Sequence, residues 1–441
     1  MNGMFTSGHT LTDADGQPIT VRDFLGGGGQ GEVYRVDSTA GERALKWYFP
    51  SADAALQRHI VLDLIERGSP DDRFLWPQTL VENTDGFGYL MDVRGARFVG
   101  LPDLLSRRVA AGYPALLTAC VNLVEAYRRL HAAGVAYRDI SWGNVFLDPR
   151  SGDVLVCDND NAVADGQRVT ITGTMDFMAP ELVRADPDAQ PCTQTDLHAL
   201  AVLLFMILMN HHPLCGRLEL QIRCLDGQAK TKLFGRDPVF VFDPKDDRNR
   251  PLPGEQDTVI HTWSAAPAGL RALFESVFTV GLGSPNDRVR EGQWRDMLSR
   301  LVDLVMPCQG CGRANMTDVS SPGNGTCWKC RGALRSPVRL EVTVPGTGSR
   351  APRTILMTPG AKLYEHHRES DPKRHDFTAV VAEVTEHPTR AGVFGLTNRT
   401  ASDFTVRRPD GSTDVVGPGR SIAIKPGISL RQDTMEGRFV G

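Results

Sequence analysis

No apolar run in the 441 residues is long enough to cross a bilayer. The longest, residues 199–209, falls short of the ~20 residues a transmembrane helix needs and follows Asp196 and His198. It predicts a buried helix and no membrane span. Residues 1–10 lack the cationic start and apolar stretch of a secretory signal, so the expected location is cytoplasmic. Charge is balanced too: 49 Lys and Arg face 53 Asp and Glu, and a net −4 over this length excludes a general attraction to nucleic acid or anionic lipid. Nine cysteines make an odd set for a disulfide framework. Cys120, Cys157, Cys192, Cys215 and Cys224 are scattered, while the others crowd between 308 and 330. With no export signal, that clustering predicts reduced thiols and a metal site.

The length exceeds what one hydrophobic core usually organises, which predicts two or three domains. From about 20 to 95, β-like runs at 21–25, 32–36 and 43–49 alternate with glycine turns, and one helix is expected near 53–67. From 101 to 135 the apolar spacing turns helical, with Leu116, Leu117, Cys120, Leu123, Val124, Tyr127 and Leu130 on one face. Helix dominates to about 305. Pro307 opens a cysteine- and glycine-rich stretch. After Pro337, β-like runs at 340–344, 379–382 and 421–424, punctuated by turns at 409–411 and 418–419, predict a small β-sandwich. The expected domains are 1–305, 306–336 and 337–441. His366, His367 and His375 gather near Glu365 without metal-ligand spacing and are expected to be solvated or locally hydrogen-bonded.

Three segments carry chemistry. Gly26, Gly28, Gly31 and Val33 form a G-x-G-x-x-G-x-V run, whose backbone N–H groups suit phosphates. A dinucleotide site would require a helix next, yet 32–36 reads as a strand, and Lys46 ends the following one. Next, residues 137–144 read Tyr-Arg-Asp-Ile-Ser-Trp-Gly-Asn. Phosphoryl transfer needs a carboxylate to orient the attacking hydroxyl and an oxygen ligand for Mg²⁺, which Asp139 and Asn144 supply from one loop. Residues 154–157 read as a buried strand delivering Asp158, a second Mg²⁺ ligand. Gly173-Thr174 then precedes Met178-Ala179-Pro180-Glu181. Taken singly, each segment also reads as an ordinary polar loop. Finally, Cys308, Cys311, Cys327 and Cys330 form two C-x-x-C pairs fifteen residues apart, with Gly310 and Gly312 easing the knuckle. Four thiolates suit tetrahedral Zn²⁺ and leave no open position for catalysis.

In this order, the segments make residues 20–305 resemble the eukaryotic-like protein kinases, and closely resemble a bacterial Ser/Thr branch with the same 137–144 loop. The cysteine stretch resembles a zinc ribbon. The resemblance implies an α+β, two-lobed kinase fold followed by the ribbon and an all-β module. It also implies ATP and Mg²⁺ as cofactors, beside the Zn²⁺. Gly26, Gly28, Gly31 and Val33 would form the nucleotide loop, Lys46 would grip phosphates beside Ala44, and Met91 and Asp92 would approach the adenine hinge. Asp139 becomes the base, with Asn144 and Asp158 holding Mg²⁺. Glu181 would pair with Arg288, and Asp196 would anchor the buried helix. Thr174 implies a Ser/Thr kinase, and Arg138 can pair with a phosphorylated activation segment, for which Thr170 and Thr172 are candidates.

The sequence also departs from the family pattern. Tyr137 replaces the usual histidine, and Ser141 replaces a lysine that would offset charge on the transferred phosphoryl. Asp158-Asn159-Asp160 keeps the metal ligand and loses a glycine. Glu66 lies at a plausible distance to pair with Lys46, in an uncertain register. The expected activity is ATP-dependent phosphorylation of protein Ser or Thr, the chain itself included. The alternative is a pseudokinase scaffold. A metal-dependent protein phosphatase is the partner that the resemblance implies, beside protein substrates. Residues 337–441 are expected to serve recruitment through exposed strand edges, against a competing reading in which they pack on the kinase domain and gate its cleft.

Overall fold

The computed structural model describes residues 3–167, 173–318, 320, 321, 323, 325–344, 352–370 and 372–441. Its N-terminal part is an antiparallel sheet in the order β1-β2-β3-β4-β6-β5. The strands are β1 (Thr10–Thr12), β2 (Pro18–Gly27), β3 (Gly31–Ser38), β4 (Gly41–Tyr48), β5 (Thr79–Asn83) and β6 (Gly86–Met91). Alternation divides the side chains between two faces. Tyr34, Val36, Leu45 and Trp47 join Ile19 and Val21 in one apolar cluster. Ala44, Tyr48, Tyr89 and Met91 join another with Val61 from the helix Ala54–Arg67. A Cβ at Gly31 would lie 2.1 Å from the Trp47 carbonyl oxygen, and one at Gly88 2.3 Å from that of Lys46. Glycine at these two positions lets the strands close on each other.

The helical part is built around Tyr113–Ala132 and Thr193–Met209. In the second of these, every residue from Thr195 to Met209 except Met206 is buried, as expected of a helix apolar all round. Between them lies a short hairpin, Val145–Leu147 paired with Val154–Val156, in which Val145 stands opposite Val156. That register brings Asn144, just before one strand, against Cys157, just after the other, and the Cys157 N–H donates to the Asn144 carbonyl. None of the described helices is long and apolar enough to cross a membrane.

Two small hairpins follow, Val305–Pro307 with Ala314–Met316 and Gly325–Thr326 with Ala333–Leu334. The tail forms a six-stranded sheet and a four-stranded sheet that share one apolar cluster, including Leu340, Val384, Leu396, Phe404 and Phe439. The tail also packs on the helical part. Leu356 joins Leu304, Met306 and Leu334 in a cluster common to all three regions. Asp303, at the end of the helix Glu291–Asp303, takes Arg353 at 2.7 Å and His367 at 3.1 Å. Glu125 accepts from the His375 backbone and ring nitrogen at 3.0 and 2.6 Å, and Arg374 reaches Asp72 at 3.0 Å. The three histidines are therefore buried and not solvated. His367 and His375 are drawn inside because two buried carboxylates need donors, whereas His366 bonds the Asp376 backbone carbonyl. Packing of the tail on the catalytic region was the competing expectation.

Removing the tail would strip Asp303 of both side-chain partners and Glu125 of its imidazole. A 1–336 fragment is expected to melt several degrees below the intact chain. His375→Ala in the full chain should cost about 1–3 kcal/mol, the price of a lost buried hydrogen bond. Calorimetry giving equal melting temperatures for all three proteins would contradict this interface.

Candidate active site

A cleft of about 640 Å³ opens between the sheet and the helical region. One end is apolar, with Val33, Ala44, Leu75, Met91, Val93 and Phe146. The other holds Lys46, Asp139, Asp158 and Thr174 beneath the glycine turn, where Gly26 and Gly28 face open space. Asp92 lines the rim. All the residues expected at the nucleotide site thus come together except Asn144. That side chain is buried and does not line the cleft; its amide donates to the Asp139 carbonyl and, at 3.0 Å, to the Asp139 carboxylate.

Asp139 is held from both sides. Its other oxygen accepts from the backbone N–H and hydroxyl of Thr174 at 2.9 and 3.0 Å. The loop itself hangs from Asp196 on the buried helix, whose carboxylate accepts the backbone N–H groups of Tyr137 and Arg138. Tyr137, which replaces the usual histidine, donates its hydroxyl to the Cys157 carbonyl. The substitution therefore ties the loop to the strand that carries Asp158. Arg138, in the left-handed region at φ 74°, donates to the Asn161 carbonyl. Glu181 and Arg288 form a bidentate pair at 2.8 and 2.7 Å, the strongest geometry for this pairing. Thr170 and Thr172 lie outside the described residues.

The partner of Lys46 differs from expectation. Its ammonium lies 2.9 Å from both carboxylate oxygens of Asp160 and 3.4 Å from Asp158. Glu66 is exposed near the end of its helix. Asp160 is fully buried, and it also accepts from the hydroxyls of Tyr48 and Tyr89. Burial pushes the Asp160 carboxyl up, but Lys46 and Tyr48 outweigh it and hold the group below the usual carboxylate range. Likewise, burial pulls Lys46 down while Asp160 and Asp158 raise it above its ordinary value. The sequence shows Asp160 only as a missing glycine. Its acidity two residues after Asp158, facing Tyr48 and Tyr89 on strands with a two-residue period, is the signal that would have found it.

The four cysteines form a second constellation. All four sulfurs lie within 4.8 Å of one another, with Cys308–Cys330 and Cys311–Cys327 at 3.6 Å. A tetrahedral ion with bonds of about 2.3 Å to sulfur sets its ligands roughly 3.8 Å apart, so the spacing is compatible with a metal. The two knuckles repeat the same backbone bonds, Gly312 N–H to Cys308 carbonyl and Arg331 N–H to Cys327 carbonyl. Gly312 and Arg331 take the same left-handed φ, 72° and 61°. Gly312 therefore eases a turn, whereas at Gly310 a Cβ would find ordinary contacts.

Part of this chain is similar to known proteins. Residues 90–250 match the family model described as the protein kinase domain. Over that segment the chain is similar to protein kinases. It is 27% identical over 218 residues to the Streptomyces coelicolor serine/threonine-protein kinase PkaB, covering 46% of this chain and 51% of that protein. It is 25% identical over 207 residues to PknE, a serine/threonine-protein kinase of Mycobacterium tuberculosis, covering 45% and 36%. A shorter stretch of 119 residues is 34% identical to the rice CBL-interacting protein kinase 4, covering 26% and 23%. The chain thus spans about half or less of the length of these relatives. The glycine turn and Lys46 precede the matched segment of the family model, so their assignment to the kinase cleft rests on the structure.

One electrostatic element of the helical region escaped the sequence. His131 sits in the long helix with one ring nitrogen on Asp196, at 3.1 Å, and the other on Glu291. Burial lowers its pKa, but the two carboxylates overcome that and raise it to about 9. An unfolded histidine titrates near about 6.5, so the stabilisation is complete below that pH and is lost as pH rises through about 9. The stability gap between the wild type and His131→Gln should therefore be widest near pH 6 and shrink by pH 9.5. A gap that grows with pH in thermal melts would contradict the assignment.

Proposed function

We propose that the chain binds MgATP in this cleft and transfers its γ-phosphoryl group to Ser or Thr hydroxyls of proteins, itself included. The observation that carries the reading is the restraint on Asp139. Thr174 and Asn144 fix both of its oxygens, while Lys46 and Asp158 open into the same cleft. Asp139 would accept the hydroxyl proton of the substrate as its oxygen attacks phosphorus. Lys46 would hold phosphate oxygens by charge-assisted hydrogen bonds, and the turn at 26–31 would cover them with backbone N–H groups. Asp158, its side chain 45% exposed, would hold a magnesium ion that supplies neutralising charge, and Asn144 would join it only by turning its amide oxygen from its place behind Asp139 into the cleft. The apolar end, Val33, Ala44 and Met91 among it, suits a purine base, with Asp92 at the hinge.

A nucleotide-binding pseudokinase remains the second reading, favoured by one feature. Ser141 is buried and offers no cation to the transferred group. Both readings predict binding, and only one predicts transfer. With labelled ATP and Mg²⁺ the wild type should phosphorylate itself or an added protein on Ser or Thr. Asp139→Asn should lose at least about 1000-fold of that rate while nucleotide still binds, as expected when a positioned acid–base group is removed. Transfer by the Asp139→Asn protein at the wild-type rate would refute the assignment. A wild type that binds MgATP without any transfer would favour the pseudokinase.

The cysteine hairpins are read as a structural zinc ribbon, supported by the sulfur spacing and the repeated knuckle. Elemental analysis should find about one zinc per chain, absent from Cys308→Ser combined with Cys327→Ser. Oxidised thiols and no zinc in the wild type would overturn this. A metal-dependent phosphatase partner rests on the family resemblance alone.

A further inference from the structure

In protein kinases the phosphate-binding lysine is set by a glutamate on the adjacent helix, and both must be in place for activity. Here the helix Ala54–Arg67 brings an amide to that spot. Gln57 donates to the Asp160 carbonyl at 3.1 Å and lies 3.4 Å from its carboxylate. The acids of the helix point elsewhere: Asp63 pairs with Arg67 at 2.7 Å, and Glu66 is exposed.

We propose that Asp160 is the positioning residue for Lys46, so that the lysine is locked to the metal-binding turn and not to the first helix. This rests on the kinase reading above. Both oxygens of Asp160 meet the ammonium at 2.9 Å. One also accepts from Tyr89 at 3.1 Å, the other from Tyr48. With its oxygens engaged by these donors and no exposed surface, Asp160 is not set to ligate a metal, unlike Asp158 two residues away in the cleft. Asp158 and Asp160 flank Asn159 at the entry to one turn of 3₁₀ helix, Asn159–Asn161. The phosphate grip and the metal ligand are thereby joined through a few backbone bonds. Movement of the first helix would leave that grip in place, and the kinase would need no helix swing to assemble it.

The test compares three variants with the wild type in steady-state kinetics. Asp160→Asn should lower kcat/KM for MgATP about 100-fold, the cost of a misplaced positioning group. Adding Gln57→Glu to Asp160→Asn returns the acid to the helix and should restore at least about tenfold, which a merely structural role would not do. Asp63→Ala with Glu66→Ala, on the helix surface, should stay within about threefold of the wild type. That last protein keeps the proposal testable where Asp160→Asn fails to fold. A 100-fold loss there would mean that a helix acid sets Lys46 in the working enzyme, and the proposal would fall. Asp160→Asn at the wild-type rate, or no rescue by Gln57→Glu in a folded protein, would also overturn it. An inactive wild type would instead sink the kinase reading itself.

Discussion

A lysine with 6% of its side chain exposed stays charged only where anions surround it, and the active cleft depends on that constraint. Lys46 is fixed between Asp158 and Asp160, and Asp160 in turn draws the hydroxyls of Tyr48 and Tyr89 into the same knot. Such buried pairs add little net stability, because desolvation offsets attraction; losing one partner, however, costs about 3–5 kcal/mol. The pair is best understood as a device of position. It joins β4, β6 and the turn that follows Asp158 at one point across the cleft.

The same logic recurs where the tail meets the catalytic region. Glu125 and Asp303 are buried on two helices, and their partners His375, Arg353 and His367 come from beyond residue 350. Held by those donors, both carboxyls sit below their ordinary pKa despite burial, which pushes them up. The helical region therefore carries buried charge that the tail does much to complete: Arg353 and His367 on Asp303 both come from it, while Glu125 also has Arg73 at 3.6 Å. A β-module merely tethered for recruitment would not leave such groups for its neighbour to satisfy. Among the described residues, none of those lining the cleft comes from the tail.

Much of this was legible because it depends on local pattern. Strand alternation at 32–36 and 43–49, the helical spacing after 113 and the two C-x-x-C pairs each encode their own geometry over a few residues. The bidentate Glu181–Arg288 pair was legible only through family resemblance. What stayed hidden involves partners distant in sequence. Asp160 meets Lys46 from 114 residues away, and His375 meets Glu125 from 250. Nothing in the spacing of His366, His367 and His375 signals two acids on other helices. Glu66 illustrates the converse: its distance from Lys46 along the chain was plausible, yet the helix turns it to solvent while Gln57 faces the site.

On the proposed function, Lys46, Asp158 and Asp139 form one phosphate-handling site. A crystal structure of the full chain with Mg²⁺ and a non-hydrolysable ATP analogue tests it most directly. The predicted result is an ion within about 2.1 Å of an Asp158 oxygen, phosphate oxygens on Lys46 with Asp160 still in contact, and Asp139 facing the γ-phosphate. Nucleotide bound elsewhere, or phosphates that leave Lys46 untouched, would contradict it.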